Sequence, residues 1–317
     1  MKKLFAGISA AVMLIGCCGC SDVTVSDESR LSIVTTIYPA YDFARQVFGD
    51  TADITLLLKP GTESHTYDPS AKDIVKISNC DLFIYNGGES DQWVSSILEG
   101  TQEINTLRMM DVVELREEEI TDGMQHEHDE ECTHEADDQA HEAYDEHIWT
   151  SPVNAAKIVS AIEAEACEIA PENTEEYTLA AGDYITQIQE LDIRFAELLA
   201  EEERYFIFGD RFPLLYFFKE YDLDYYAAFP GCGSNVEPSA QTISFLFDKL
   251  SSDDVVKTVF YIELSNQQIA NTLAEDSGLP TAEFHTCHNI SADDFAAGAT
   301  YVTLMEKNYE TLKNALA

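Results

Sequence analysis

Residues 171–203 read PENTEEYTLAAGDYITQIQELDIRFAELLAEEE, and this stretch decides how the rest of the chain is arranged. A proline near its start suits the first turn of a helix, because that position needs no backbone N–H donor. Its apolar side chains recur at steps of seven, four and three residues, on one helical face: Tyr177, Tyr184, Ile188, Leu191, Phe195 and Leu198. A helix of this length measures roughly 45 Å. We interpret it as a rigid connector between two lobes; an ordinary core helix is the alternative.

Short apolar runs alternate with helical segments on both sides of this connector. Strands are predicted over residues 31–37, 54–58, 82–85 and 104–107 before it, and over 205–208, 225–229, 256–262 and 281–284 after it. Strands that alternate with helices predict a parallel sheet with helices on both faces. The predicted fold class is α/β, with two lobes, each a parallel sheet flanked by helices, joined by one long rigid helix. The lobes are residues 31–150 and 204–317, and residues 151–203 hold the connecting helices.

The first residues have the pattern of an export signal. Lys2 and Lys3 form a basic start, residues 4–14 form an apolar run too short to span a membrane, and LIGC at residues 14–17 is a small-residue cleavage site. The site resembles the bacterial lipobox, whose cysteine becomes the lipidated first residue of the mature protein. Residues 1–16 are therefore predicted to be a signal peptide, with Cys17 lipidated and residues 17–30 forming a tether. An ordinary cleaved signal is the alternative.

The chain carries 59 acidic and 18 basic residues, a formal net charge of −41 at pH 7. This charge argues against nucleic acid and anionic lipid as partners, because both would be repelled, and it attracts cations. Residues 114–147 hold fifteen carboxylates and one basic residue. Such a stretch cannot bury enough apolar surface to fold alone, so we predict a flexible loop. Its histidines have no fixed spacing and are predicted to collect metal weakly: His126, His128, His134 and His141.

Three other histidines lie near predicted strand ends. His65 follows one strand, within PGTESHTYDP at residues 60–69, His285 follows another, and His147 closes the acidic loop. In open parallel sheets, ligands bind outside the carboxyl ends of the strands, so we expect these side chains to face a cleft between the lobes. Imidazole is a ligand for divalent transition metals. The pattern predicts a metal site in that cleft.

Several segments, in this order, resemble the solute-binding lipoproteins of metal-ion ABC importers, the cluster A-I zinc and manganese binders. TTIYP at residues 35–39 resembles the family's opening strand and turn, residues 60–69 its first ligand loop, and DLFIYNG at residues 81–87 a recurring strand. The histidine-rich insertion and DEHIWTSP at residues 145–152 resemble the zinc members' loop and second ligand motif. The resemblance covers nearly all of residues 31–316. It implies a receptor that delivers metal to a membrane permease powered by a cytoplasmic ATPase.

The resemblance also implies a ligand set. The family's first and second ligands fall on His65 and His147, and its fourth falls on His285. Its third falls on Gly209, which has no side chain to donate. Three neutral imidazoles suit Zn²⁺, with water or a carboxylate completing a tetrahedron, whereas Mn²⁺ would favour more oxygen ligands. Zinc is therefore the predicted ion, and manganese or iron binding by the same architecture is the alternative.

Asp210 is the candidate for the remaining ligand because it lies next to the vacated position. A pairing between Asp210 and Arg211 is an equal alternative. Glu237 and His288 are further candidates. Glu263 is predicted either to support a ligand by hydrogen bonding or simply to pack nearby.

Five cysteines lie beyond the export signal, and none has the Cys-x-x-Cys spacing of a structural zinc site. Cys80 and Cys167 lie among apolar positions and are predicted to be buried small side chains. Cys232 and Cys287 both follow predicted strands. Because an exported protein permits disulfides, we hypothesise a bridge between these two.

The predicted function is that of an extracytoplasmic, lipid-anchored and monomeric receptor that captures Zn²⁺ between its lobes for an ABC importer, and not that of an enzyme. A zinc-dependent hydrolase is the main alternative, because three histidines and an open water position also describe a catalytic site. No His-Glu-x-x-His signature accompanies the histidines, however. A surface adhesin is the third alternative, for which the sequence supplies no distinct interface.

Overall fold

The N-terminal lobe is a parallel sheet, as the alternation of strands and helices predicts. The computed structural model describes residues 30–62, 67–101, 104–124, 144–200, 205–231, 238–252 and 256–317. Within these residues the lobe contains β1 (Leu31–Thr35), α1 (Tyr38–Phe48), β2 (Ala52–Leu56), α2 (Ala71–Ile77), β3 (Leu82–Tyr85), α3 (Trp93–Gly100) and β4 (Thr106–Arg108). The strands pair in the order β2-β1-β3-β4, all parallel. Their carboxyl ends therefore share one edge, where ligands bind in such sheets.

Local sequence explains where the first two helices begin. Pro39 occupies the first turn of α1, where its fixed φ suits the helix and its missing N–H costs nothing. Ser70 caps α2, because its hydroxyl accepts the N–H of Asp73 while the Asp73 carboxylate accepts the N–H of Ser70. This capping box fixes the residue at which α2 begins.

Two long helices follow the N-terminal lobe: α4 (Pro152–Ile169) and α5 (Thr174–Leu199). The amphipathic prediction for α5 is confirmed, because one face of the helix is buried: Tyr177, Ala181, Tyr184, Ile188, Leu191, Phe195 and Leu199. The helix ends at Leu199, four residues before the predicted end.

The C-terminal lobe repeats the topology of the first. Its elements are β5 (Tyr205–Phe212), α6 (Leu215–Glu220), β6 (Asp224–Pro230), α7 (Ala240–Ser252), β7 (Val259–Ile262), α8 (Gln268–Ser277), β8 (Thr281–Phe284), α9 (Ala292–Ala296) and α10 (Tyr301–Leu316). The described strands pair in parallel in the order β6-β5-β7-β8, which matches the order in the first sheet. The predicted fold class is therefore confirmed: each lobe is a parallel sheet flanked by helices.

The predicted single helix over residues 293–316 is wrong, because the chain breaks into α9 and α10. Gly298 adopts a left-handed φ of +74°, which ends the first helix without the steric cost of a side chain. Thr300 then begins α10 with a capping box of its own, since its hydroxyl accepts the N–H of Thr303. Strand β5 also runs farther than predicted, to Phe212, with a shift in register between Phe208 and Arg211.

Helix α5 serves as core and connector together, because its buried face packs against α1, α4 and α10. The carboxylate of Asp42, which is fully buried, joins three of these helices. It accepts the hydroxyl of Tyr184 at 2.6 Å and the backbone N–H of Tyr301 at 2.7 Å. Arg45 neutralises its charge at 2.7 Å. A buried carboxylate with this many partners ties helices from both lobes at one point.

Residues 31–317 form one compact unit, and the predicted signal peptide and Cys17 lie outside the described residues. None of the helices within the described ranges is both long enough and apolar enough to cross a membrane.

Candidate metal site

The carboxyl ends of the two sheets meet around a small cavity. Its volume is about 40 Å³. That is room for a metal ion with a few water molecules, since a cavity measured in this way holds one water in about 10–15 Å³. Residues of both lobes line the cavity: Thr62, His147, Arg211, Pro213, Gly231, Ile262, Glu263, Leu264, Thr286, His288 and Asn289. The cavity thus lies where the cleft was predicted, with two imidazoles in its wall, those of His147 and His288.

His147 is fully buried and is oriented by the carboxylate two residues before it. Oδ1 of Asp145 accepts the backbone N–H of His147 at 2.8 Å and lies 3.2 Å from its ring Nδ1. A carboxylate that faces Nδ1 holds the ring proton there, which leaves the lone pair of Nε2 available to a metal ion. Burial lowers the pKa of His147, but the charges of Asp145 and Glu146 outweigh it and leave the pKa above its usual value.

The segment that carries His147 is fixed to the N-terminal lobe through Glu146. The Glu146 carboxylate accepts the N–H of Ser90 at 3.0 Å and its hydroxyl at 2.5 Å, while Asn86 donates to the Glu146 carbonyl at 2.9 Å. Gly88 makes this approach possible, because a Cβ at that position would lie 2.0 Å from Oε2 of Glu146. The Asn-Gly-Gly sequence after β3 is thus explained by close packing against the histidine segment.

The second imidazole of the cavity belongs to His288, in the turn after β8. Glu263 at the end of β7 holds this turn, because its carboxylate accepts the N–H of Thr286 at 2.7 Å and the Thr286 hydroxyl at 2.5 Å. Asn289 ties the turn to the N-terminal lobe by donating to the carbonyls of Lys59 at 3.1 Å and of Thr62. Glu263 thus holds both the backbone and the side chain of Thr286, and its support of a metal ligand stays a prediction.

The rings of His147 and His288 lie 5.2 Å apart, centre to centre, with an interplanar angle of 74°. Two imidazoles that bind one zinc at 2.0–2.1 Å with a tetrahedral angle have ring centres roughly 5 Å apart. The separation therefore allows both rings to bind the same ion. The indole of Trp149 contacts both, with ring centres 5.6 Å from His147 and 5.1 Å from His288.

His285, the predicted ligand after β8, is oriented differently from His288. Its backbone N–H donates to Asn308 of α10 at 2.7 Å, and its ring Nδ1 accepts the N–H of Cys287 at 2.9 Å. The neutral ring then carries its proton on Nε2, which opposes metal binding through that nitrogen. His285 is buried but is not among the cavity residues, so the structure brings His288, the lower-ranked candidate, to the cavity with His147.

The vacated family position, Gly209, faces helix α8 and not the cavity. A Cβ at Gly209 would lie 2.5 Å from Cα of Ala270, so the close packing of β5 on α8 requires glycine. Oδ1 and Oδ2 of Asp210 accept the backbone N–H groups of Arg211 at 2.8 Å and Ile262 at 3.4 Å. Burial raises the pKa of Asp210, while its hydrogen bond with Ser265 lowers it by less. The side chain that joins the cavity wall here is Arg211, and Asp210 as a ligand stays a prediction.

Several predicted site residues lie outside the described residues: His65, His126, His128, His134, His141, Cys17, Cys232 and Glu237. Within the described ranges, no cluster of three or more histidine, cysteine or acidic side chains is arranged to hold a metal. The two cavity imidazoles thus need a further ligand, and His65 stays the prediction for it. The ends of the acidic loop do meet, since Glu117 pairs with Tyr144 and the N–H of Asp145 donates to the carbonyl of Arg116.

The described cysteines carry free thiols. Cys80 and Cys287 are buried and Cys167 is half-buried, which agrees with small packed side chains. Burial raises the pKa of the Cys287 thiol strongly, and the neighbouring charge of Glu263 adds to this. The bridge between Cys232 and Cys287 stays a prediction, because Cys232 lies outside the described residues.

The carboxyl edges of two parallel sheets enclose a small cavity, and the cavity has imidazoles in its wall. This arrangement defines a class of two-lobed proteins that bind a ligand in the cleft, here one suited to a metal ion. Residues 33–315 match the sequence profile of the ZnuA family, described as zinc-uptake complex component A, periplasmic. The chain belongs to this family, which agrees with the resemblance found in its sequence.

Similar proteins carry zinc in their names. The chain is 32% identical over 316 residues to the zinc-binding lipoprotein AdcA of Streptococcus pneumoniae, covering 99% of this chain and 61% of that protein. It is 31% identical to the high-affinity zinc uptake system protein ZnuA of Bacillus subtilis, over 100% of this chain and 99% of the relative. The Zn(II)-bound ZnuA-like domain of the pneumococcal AdcA superposes with a TM-score of 0.72 at 30% identity, covering 90% of this chain and 99% of the domain.

Proposed function

We propose that this chain is an extracytoplasmic receptor that captures Zn²⁺ between its lobes, with Nε2 of His147 and the ring of His288 as two ligands. The observation that carries the proposal is the 5.2 Å separation of these rings in a cavity of about 40 Å³. His65, from the loop after β2, is the proposed third imidazole, and water completes a tetrahedron. The zinc-binding relatives named above support the choice of ion.

The described donor set favours zinc over manganese. Manganese sites are rich in oxygen ligands, whereas this cavity offers two imidazoles. The carboxylate in its wall, Glu263, uses both oxygens to accept hydrogen bonds from Thr286. Recruiting it as a ligand would release the turn that positions His288. Manganese or iron would therefore bind more weakly than zinc.

A test of the site begins with protein purified without added metal. Elemental analysis followed by competition titration against a zinc chelator measures the ion that is bound and its affinity. We expect one tightly bound zinc per chain. Deleting residues 124–141 should remove looser binding by the acidic loop and leave the tight site. Loss of the tight site in that deletion variant, or purified protein that competes for no zinc, would contradict the proposal.

Delivery to a membrane permease with a cytoplasmic ATPase is part of the same proposal. It rests on the uptake-system name of the Bacillus subtilis relative, and the lipid anchor at Cys17 rests on the LIGC sequence and the lipoprotein name of AdcA. Metabolic labelling with a fatty-acid analogue should modify the wild-type chain and not Cys17→Ala. Zinc-limited growth of a deletion strain should be restored by the gene only while the permease is present.

Binding is favoured over hydrolysis by the environment of the cavity. A zinc hydrolase needs a general base near the metal-bound water. Among the described residues in the cavity wall, the carboxylate is that of Glu263, which faces Thr286. Incubating the zinc-loaded protein with model esters and peptides tests this reading, and turnover above that of free zinc would favour the hydrolase.

A further inference from the structure

We propose that Trp149 is a positioning residue for the metal site, which sets the distance between the two lobes' imidazoles. Its indole would hold the turn after β8 so that His288 meets His147 around one ion. The inference rests on the proposed function, because it concerns the same pair of rings. It assigns a role to a residue that binds no metal itself.

Trp149 contacts both the segment of His147 and the turn of His288, through its indole N–H and through its ring. It lies two residues after His147, in the same N-terminal segment, and is fully buried. Its Nε1–H donates to the carbonyl of Thr286 at 2.9 Å, so the indole reaches the backbone of the C-terminal ligand turn. Its ring contacts both imidazoles at an angle, edge-on with His147 at 5.6 Å and tilted with His288 at 5.1 Å between ring centres. One rigid side chain therefore spans the distance between the two ligands.

The backbone of Trp149 is itself held by the C-terminal lobe. The hydroxyl of Tyr301, at the start of α10, donates to the Trp149 carbonyl at 3.0 Å. The N–H of Tyr301 donates to the buried carboxylate of Asp42, which joins helices from both lobes. Trp149 is thus linked through Tyr301 to the junction of α1, α5 and α10.

Thr286 is held from both lobes, which explains why its hydrogen bond with the Trp149 indole matters for the position of the turn. Glu263 fixes its N–H and hydroxyl from within the C-terminal lobe, whereas Trp149 fixes its carbonyl from the N-terminal lobe. Without the indole N–H, a buried carbonyl loses its partner and the turn is free to shift relative to His147. When the ligands are already in position before the ion binds, less of the binding free energy is lost in ordering them.

Trp149→Phe tests the inference, because it keeps an aromatic ring against both imidazoles and removes the N–H donor. We expect zinc affinity about tenfold weaker, the value of one buried hydrogen bond with its partner left unsatisfied. We also expect a changed visible absorption spectrum of the Co²⁺-loaded protein, which reports ligand geometry. Both measurements are made far below the melting temperature, so that a loss of stability alone would leave them unmoved.

Trp93→Phe is the matched control. The chain has two tryptophans, and the indole of Trp93 also donates to a carbonyl, that of Ser90, at 3.1 Å. That bond is local to the N-terminal lobe and spans three residues. We expect unchanged zinc affinity and an unchanged Co²⁺ spectrum in Trp93→Phe.

The two variants separate failure of this inference from failure of the proposed function. In Trp93→Phe the remaining emission comes from Trp149, so Co²⁺ bound between His147 and His288 should quench it. Quenching together with wild-type affinity and spectrum in Trp149→Phe would overturn the positioning role and leave the metal site in place. Absence of both quenching and zinc binding in Trp93→Phe would instead overturn the site itself.

Discussion

Replacing His288 by alanine should weaken zinc binding far more than replacing His285, although both histidines lie in the same turn. Zinc sites with four protein ligands bind with about 10–16 kcal/mol, so one imidazole contributes roughly 3 kcal/mol, or about two orders of magnitude in Kd. The ring of His288 lies 5.2 Å from that of His147 in the cavity wall. We therefore expect His288→Ala to weaken zinc binding about a hundredfold.

His285→Ala is the paired variant, and its expected effect is on stability. The ring of His285 accepts the N–H of Cys287 at 2.9 Å, and this N–H would be left buried without a partner. Such a loss costs about 1–3 kcal/mol. The free energy of unfolding should fall by that amount in denaturant titrations, while zinc affinity should change by only a few-fold.

The assay is competition against a chromophoric zinc chelator, run on both variants and on wild type at one pH. Thermal unfolding with and without zinc supplies a second measure, because a ligand that binds the native state raises the melting temperature. The reasoning is refuted if His285→Ala loses a hundredfold in affinity while His288→Ala binds like wild type. That outcome would mean that the turn rearranges around the ion and brings His285 to the cavity.

Three further predictions follow from single contacts. Asp145→Asn should weaken zinc binding about tenfold in the same competition assay, because the carboxylate that orients His147 loses its charge. Gly209→Ala should lower the free energy of unfolding by about 1–3 kcal/mol in denaturant titrations, since its Cβ would lie 2.5 Å from Cα of Ala270. Gly182→Ala, where the space is open, should raise it by up to about 1 kcal/mol. Burial raises the pKa of Asp91 from 3.8 to about 6. Between these pH values the folded state binds the proton more tightly than the unfolded state, so wild-type stability should fall by about 2 kcal/mol as pH rises from 3.8 to 6, relative to Asp91→Asn.

Both sheets follow from the sequence because their central strands, β1 and β3 in one sheet and β5 and β7 in the other, are largely buried. A run such as Leu82-Phe83-Ile84-Tyr85 stands out against its polar flanks, and its exit at Asn86-Gly87-Gly88 marks the strand end. The split between α9 and α10 depends on a single glycine in a left-handed conformation. A periodicity reading averages over such a residue, so it predicted one helix where two are present.

The metal site was only partly accessible to the same reasoning. His147 was a candidate because DEHIWTSP at residues 145–152 resembles the family's second ligand motif, and it does line the cavity; its role as a ligand stays a prediction. The choice between His285 and His288 depends on how the turn folds back, and this is decided by distant contacts. Asn308 fixes the backbone of His285, and Cys287 adopts a left-handed φ of +61° that reverses the chain before His288. Neither the Asn308 contact nor the conformation of Cys287 leaves a local signal in the sequence.

The contacts that hold the two lobes together limit how the ion can be released. Asp42 locks α1, α5 and α10 together, which leaves little freedom for the lobes to swing apart as rigid bodies. The segments that carry the proposed ligands, by contrast, are joined across the lobes by individual side-chain bonds, from Trp149 to Thr286 and from Asn289 to Lys59. Breaking one such bond costs about 1 kcal/mol, far less than separating a helical core. Release of zinc should therefore proceed by displacement of the turn after β8, with the two sheets keeping their relative orientation.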